Sequence, residues 1–350
     1  MMSRGSFNGP GGPHTRWQIP PQQGGSMGSL HTLRDKAQLG LVGNESILQL
    51  SRESLASSGI VVAQLQARSV SPGKNLMGIR ITLASDNSPA CSIDTDVFCD
   101  GGGYNNYHVE VVDRMGADSF TPDSGVMISK TKDNSDEGPF QWMIDANPQD
   151  IKLLDFYRPN GTASYITLGD YRQLLDALFH AGTRSGSQYE YVDEGNRLHF
   201  YIVDVKRDNS GVLSYTVGVK SLDSKGGGQK HSVALTKGTA EHGKPTEKGV
   251  TCSFQLHSNG SSTTASGGHP QDVSSYLRSD VYRLNATVEG SGWRVELPNA
   301  LAVAKFGSSV AVKVAVRADA SAEHKAKVKL TATSESDPSV STTGLCAVEK

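Results

Sequence analysis

LHFYIVDVKRDNSGVLSYTVGVKSL, Leu198–Leu222, sets the fold class of this 350-residue chain. Two strongly apolar runs flank Asp208-Asn209-Ser210-Gly211, and apolar runs on either side of such a turn pair as an antiparallel hairpin. The same signal recurs upstream in SILQLSRESL (46–55), IVVAQLQARSV (60–70), NLMGIRITLA (75–84), YHVEVVDRM (107–115), SGVMISKTKD (124–133) and QWMIDA (141–146). These runs alternate or are continuously apolar, in strand fashion. Downstream, DVYRLNATVEG, WRVELP, SSVAVKVAVRA and KAKVKLTATS give four more strands between Asp280 and Ser334. The expected fold is therefore mainly β.

Two segments read as helical. SLHTLRDKAQLGLV (29–42) spaces Leu30, Leu33, Ala37 and Leu41 at helical intervals, and Gly40 suits its end. TLGDYRQLLDALFHAG (167–182) gathers Tyr171, Leu174, Leu175, Leu178 and Phe179 on one face, with Thr167 as N-cap and Gly182 as C-cap. The resulting division is a loop-and-helix segment at 1–45, a β-rich domain at 46–223 with one crossing helix at 167–181, a Gly/Ser/Thr-rich linker at 224–275, and a β-sandwich of immunoglobulin-like size at 276–350.

Composition narrows the function. A formal net charge of −2 gives no basic bias, so a nucleic-acid partner is not expected. No apolar run approaches the roughly 18–20 residues of a membrane-spanning helix, and no signal-peptide core stands near Met1. His-Glu-x-x-His, Gly-x-Ser-x-Gly and the P-loop are absent from the sequence; GGGQK at 226–230 lacks the Lys-Ser/Thr ending. The histidines read structurally: His14 as a loop residue, His180 as a helix-end cation, His199 at solvent or a wet interface. Asp193 and Glu194 read as a solvated hairpin end.

Cys91 and Cys99, eight positions apart, suit a small disulfide loop in a secreted protein. Cys252 and Cys346 could tie the linker to the last domain, although spacing alone does not show it. Asp94, Asp96 and Asp100 in SIDTDVFCDGGGYNNY offer hard oxygens to a calcium ion, or simply a polar, disulfide-closed turn. The acidic turn DNSDEG (133–138) has the same two readings. Sequons stand at Asn44, Asn160, Asn259 and Asn285. Trp17, Trp142 and Trp293 are either anchors for a sugar or protein surface or packing residues.

MMSRGSFNGPGGPHTRW (1–17) carries a resemblance. Met2-Ser3-Arg4-Gly5-Ser6 resembles the methionine turn of secreted zinc metallopeptidases of the immune inhibitor A type, and LRDKAQLGLV (33–42) is similar to the helix that follows it. The text around YRQLLDALFHAGTRSGSQYEYVDEGNRLHFYIVDV resembles the middle β-rich region of such proteins, and the C-terminal module resembles accessory β-sandwiches of secreted hydrolases. The resemblance implies that Met2 is the Met-turn residue and that residues 1–45 are the remnant of a metallopeptidase domain. It also implies an extracellular protein, and zinc in the full-length family. The family's zinc helix precedes the Met-turn, so no catalytic residue carries over. Two functions are therefore expected: the non-catalytic C-terminal part of a truncated secreted metallopeptidase, or a stand-alone extracellular β-sandwich that binds glycan or protein surfaces. Either would act as a monomer.

Overall fold

In the computed structural model the described residues are 30–350, except 93, 97, 120, 122, 135, 137–138, 168–176, 225, 243–248 and 264–267. The Met-turn reading of Met2, together with His14 and Trp17, therefore lies outside the described residues, as does most of the helix expected at 167–181.

The first half runs α1 (Leu33–Gln38), β1 (Ile47–Ser51), α2 (Arg52–Ser58), β2 (Val61–Gln66), β3 (Gly78–Thr82), β4 (Asn106–Val112), β5 (Gly125–Thr131), β6 (Gln141–Met143), β7 (Leu154–Tyr157), β8 (Ala163–Tyr165), β9 (Glu190–Asp193), β10 (Leu198–Arg207) and β11 (Leu213–Ser221). One sheet has the order β1-β3-β4-β5-β6, with β1 parallel to β3 and the other pairs antiparallel. The second has the order β2-β11-β10-β9, and the expected hairpin is its centre, pairing Leu198 with Ser221 and Arg207 with Leu213. The two sheets enclose a core that includes Leu50, Ile79, Tyr107, Val109, Phe200 and Val217. β7 and β8 form a separate two-stranded sheet.

The second half runs β12 (Gln229–Lys230), β13 (Val233–Leu235), β14 (Thr239–His242), β15 (Val250–Ser258), β16 (Ser261–Ser262), β17 (Ser279–Glu289), β18 (Trp293–Glu296), β19 (Leu301–Lys305), β20 (Ser309–Ala318), β21 (Lys325–Ser334) and β22 (Ser341–Glu349). A sheet of order β13-β15-β20-β18, with β14 also on β15, faces one of order β19-β17-β21-β22. Cys252, Phe254, Tyr282, Trp293, Val314, Val328 and Cys346 fill the space between them.

Three expectations are corrected. The stretch 224–275 is not largely linker: it holds β12–β16, and β15 lies inside the second sandwich, paired with β20 from Val250–Val316 to His257–Ser309. Its inward positions Cys252, Phe254, Leu256 and Ser258 alternate with more accessible ones, but short polar strands and glycines on either side mask the pattern. The strand read through Ser46–Leu55 stops at Ser51. There the Ser51 hydroxyl accepts the Ser54 N–H and caps α2. Finally, the described end of the 167–181 segment is extended: Phe179 exchanges both backbone hydrogen bonds with Val126 at 2.9 Å, continuing the edge of β5.

Candidate functional site

β4 is buried along its whole length, which places polar side chains under cover. Tyr107, Val109 and Val111 point into the core; the alternate positions Asn106, His108 and Glu110 lie on the opposite face, where the segment 30–38 packs. There the chain builds a seat of buried charge. Arg68 forks onto Asp118 through Nε (2.8 Å) and Nη2 (3.1 Å) and reaches Glu110 through Nη1 at 3.4 Å. Glu110 and Asp118 have no exposed side-chain surface and Arg68 has 4%. Leu33 N–H donates to both Glu110 oxygens at 3.1 Å, Leu30 N–H donates to Asp118 at 2.8 Å, and Lys36 Nζ donates to the Arg68 carbonyl at 2.6 Å.

Burial pushes the Glu110 carboxyl up, against the opposing pull of Arg68, and pushes the Lys36 ammonium down. For the Arg68 guanidinium burial works downward as well, but Glu110 and Asp118 outweigh it and raise the group overall. The seat therefore clamps the first described residues, backbone included, onto the first sandwich. Nearby, Arg34 donates to the Lys132 carbonyl (2.9 and 2.8 Å) and lies over the Phe140 ring.

A second polar cluster joins the two sandwiches. Arg283 of β17 donates to Glu190 of β9 at 2.6 Å and to Glu335 at 2.5 Å; His199 bonds Glu190 at 3.0 Å, and Tyr201 O–H donates to Glu335 at 2.8 Å. Burial raises the Glu190 carboxyl, but hydrogen bonds from His199 and Arg283 outweigh it and hold the group at about 2. Ile60, Tyr201 and Val203 pack on Val281 and Leu301 beside these charges, and the Gln229 amide bridges Ile60 and Leu277 backbone groups.

Three histidines sit where a catalytic reading has to be tested. His269 accepts the Ser51 N–H at Nδ1 (3.2 Å), so Nε2 carries the proton and donates to Ser58 Oγ at 2.9 Å. That is the wrong direction for a base activating a serine, and burial holds the imidazole at about 4. His180 bonds Asp123 at 2.6 Å, while the adjacent Ser124 hydroxyl donates to Asp113 instead. His231 pairs through Nδ1 with Asp280 (3.0 Å), whose remaining capacity is taken by Ser334, Ser336 and the Val281 N–H; the His231 Nε2 is buried without a partner. Among the described residues, no three His, Cys, Asp or Glu side chains gather as a metal site requires.

The remaining expected residues are placed as follows. Cys91–Cys99 and Cys252–Cys346 are both bridged. Cys252 of β15 and Cys346 of β22 are fully buried between the two sheets. Asp94, Asp96 and Asp100 do not converge: Asp96 accepts the Phe98 N–H, and Asp100 turns inward to pair with Lys130 at 2.8 Å. Asp193 is buried, not solvated. It accepts the Tyr107 hydroxyl beside Lys130, and Asn196 donates its backbone N–H (2.9 Å) and its amide (3.0 Å) to the same carboxylate. Sequence reasoning missed it because the neighbouring turn residues are polar and the Tyr107 partner lies 86 positions away. Trp293 is core, its Nε1–H donating to the Glu323 carbonyl, and Trp142 is half-buried on β6, so neither stands out as a free anchor. Asn44, Asn160, Asn259 and Asn285 are all exposed.

Comparison with known proteins gives two family matches. A family described as a middle domain matches residues 38–222, and one described as a peptidase M6-like domain matches residues 234–350. A protein of Arthroderma benhamiae named "Putative secreted metallopeptidase" is 61% identical over 356 residues, covering 100% of this chain and 52% of the relative. The chain thus spans about half the length of that relative. Among solved structures, Vibrio cholerae VesB protease aligns with a TM-score of 0.19 and 12% identity over 85% of this chain and 97% of that chain, and a likeness at that score carries no argument.

Proposed function

Since the chain belongs to the family whose middle domain spans residues 38–222, and carries that family's peptidase M6-like domain at 234–350, we propose that it is the non-catalytic β part of a secreted, metallopeptidase-like protein. The immune inhibitor A type is the closest description the sequence resemblance offers, with Met2 as the Met-turn residue. The observation that carries the reading is the Arg68–Glu110–Asp118 seat. Besides the Arg68 guanidinium, its carboxylates accept the backbone N–H groups of Leu30 and Leu33, in the chain that leads from the metallopeptidase-like segment onto the β scaffold. The charged joint at Arg283 then holds the second sandwich against the first. On this reading the β part positions an adjoining peptidase half and supplies no reacting group.

Two arguments support the non-catalytic status. A zinc peptidase needs ligands that hold the metal and a carboxylate that activates water, and the sequence offers no His-Glu-x-x-His to do so. At Ser58–His269 the imidazole donates to the serine, and the Ser124 hydroxyl beside His180–Asp123 donates to Asp113, so neither pair sets an imidazole base on a serine. The purified chain, supplied with Zn²⁺, is expected to leave casein intact; cleavage that a chelator abolishes would overturn the reading.

A further inference from the structure

β7 and β8 raise a question the scaffold role does not answer. An isolated two-stranded hairpin is marginal in water, yet this one leaves large apolar side chains uncovered: Leu154 is 47% exposed, Phe156 52%, Tyr157 66% and Tyr165 56%. The ladder pairs Tyr157 with Ala163 and Leu154 with Tyr165, which places Leu154, Tyr157 and Tyr165 on one face. The turn at its tip is Arg158-Pro159-Asn160-Gly161-Thr162. Gly161 N–H donates to the Arg158 carbonyl and Arg158 N–H to the Thr162 carbonyl, both at 2.8 Å, and Gly161 has φ +82°. Asn160 Oδ1 accepts the Thr162 backbone N–H at 3.0 Å, which closes an Asx turn across the sequon.

We propose that Asn160 carries an N-linked glycan whose first N-acetylglucosamine lies on the exposed ring of Tyr157 and covers this face of the hairpin. The inference rests on the secreted reading above. A sugar ring presents an apolar C–H face that an aromatic ring with its negative π face receives well. Tyr157 stands three residues before the acceptor, at the base of the tight turn, with two-thirds of its surface free. The other sequons have no exposed Tyr three residues before the acceptor. No Phe, Tyr or Trp lies within three positions of Asn44 or Asn259 in the sequence. Tyr282, three before Asn285, is fully buried. In the transfer, the bond from Asn160 Nδ2 to the sugar C1 forms as the C1–O bond to a lipid-diphosphate carrier breaks. One amide proton leaves, and the diphosphate departs with the bonding pair.

The test uses the full chain led into the secretory pathway of a fungal host by that host's own leader. Its outcome is therefore independent of the chain's natural route, which detection of the native protein in culture fluid tests separately. Asn44→Gln, Asn259→Gln and Asn285→Gln leave Asn160 as the sole acceptor, and an endoglycosidase trims the glycan to one sugar. Release of the untrimmed glycan by an amidase in ¹⁸O-water, which hydrolyses the side-chain amide, is expected to turn Asn160 into ¹⁸O-labelled aspartate. The N-acetyl methyl protons are expected upfield of their usual position through the Tyr157 ring current, and that shift is expected to vanish in Tyr157→Ala. An unmodified Asn160 in the secreted chain overturns the proposal, as does a methyl signal that Tyr157→Ala leaves in place. Asn160→Gln, secreted at the same level, controls for folding.

Discussion

Replacing Arg68 by Met probes the seat. The substitution keeps an apolar stem of similar length and removes the cation that Asp118 receives at 2.8 and 3.1 Å and Glu110 at 3.4 Å. Both carboxylates lie at zero side-chain exposure, so water does not replace the lost donors. Breaking a buried ion pair by deleting one partner costs about 3–5 kcal/mol, because the survivor is left charged and desolvated. Here two survivors remain, with Lys36 and the Leu30 and Leu33 amides as partial compensation, which argues for the lower half of that range. A loss of about 3 kcal/mol raises the unfolded fraction more than 100-fold. Urea unfolding is expected to show a lower midpoint at unchanged slope, and hydrogen exchange at the Leu33 amide should accelerate with it. Arg68→Met combined with Glu110→Gln and Asp118→Asn is expected to recover part of the loss, since neutral amides still accept the Leu30 and Leu33 N–H groups. A loss below about 1 kcal/mol, the range of exposed pairs, or a triple variant no more stable than the single one, refutes the reasoning.

Acid sensitivity should follow from two buried imidazoles. Burial, helped by Arg80 and Arg34, holds His108 at about 3, and burial holds His269 at about 4. Below the unfolded value of about 6.5 the unfolded chain takes up protons that the folded chain refuses, so stability falls from pH 6.5 toward 4, by at most about 1.4 kcal/mol per pH unit for each histidine. Chemical denaturation across that window should show the slope, and His108→Asn with His269→Asn should flatten it. The disulfides should differ in consequence: the 94-residue separation of Cys252–Cys346 corresponds to about 4.7 kcal/mol in the chain-entropy account, and the eight-residue separation of Cys91–Cys99 to about 2.5 kcal/mol. With Cys91 exposed and both Cys252 and Cys346 fully buried, graded reductant followed by thiol mass mapping should open Cys91–Cys99 first and without global unfolding. In the second core, Phe254→Ala should cost about 3–5 kcal/mol in thermal unfolding, as a fully buried ring replaced by a cavity does.

Much of the scaffold was legible because its strands obey a two-residue period. The Leu198–Leu222 hairpin and the strands from Asp280 to Ser334 stand where alternation puts them. What stayed hidden did so for identifiable reasons. β4 reads Asn-Tyr-His-Val-Glu-Val-Val, and a strand with a polar face looks half-solvated; the segment at 30–38 covers that face, which makes Glu110 and His108 interior residues. Arg68, Glu110 and Asp118 come from three separate segments, so no local motif announces the seat. α2 is only seven residues long, and its apolar content continues the pattern of β1; the Ser51 cap is its one local signal. The strand β15 carries one short apolar patch, VTCSFQL (250–256), inside a stretch read as linker, and its membership in the second sandwich depends on β20, more than fifty positions away. The acidic loop at 92–107 offered a calcium reading on composition alone, whereas Asp100 is committed to Lys130.

The central claim is that this chain scaffolds a metallopeptidase-like protein without supplying its chemistry. Casein hydrolysis by the purified 350-residue chain with Zn²⁺ added, read with and without a chelator, puts it to the test. The account predicts no release of peptides above the blank in either condition, from a chain that urea unfolding shows to be cooperatively folded. Zinc-dependent, chelator-sensitive hydrolysis by that folded chain is the result that overturns it.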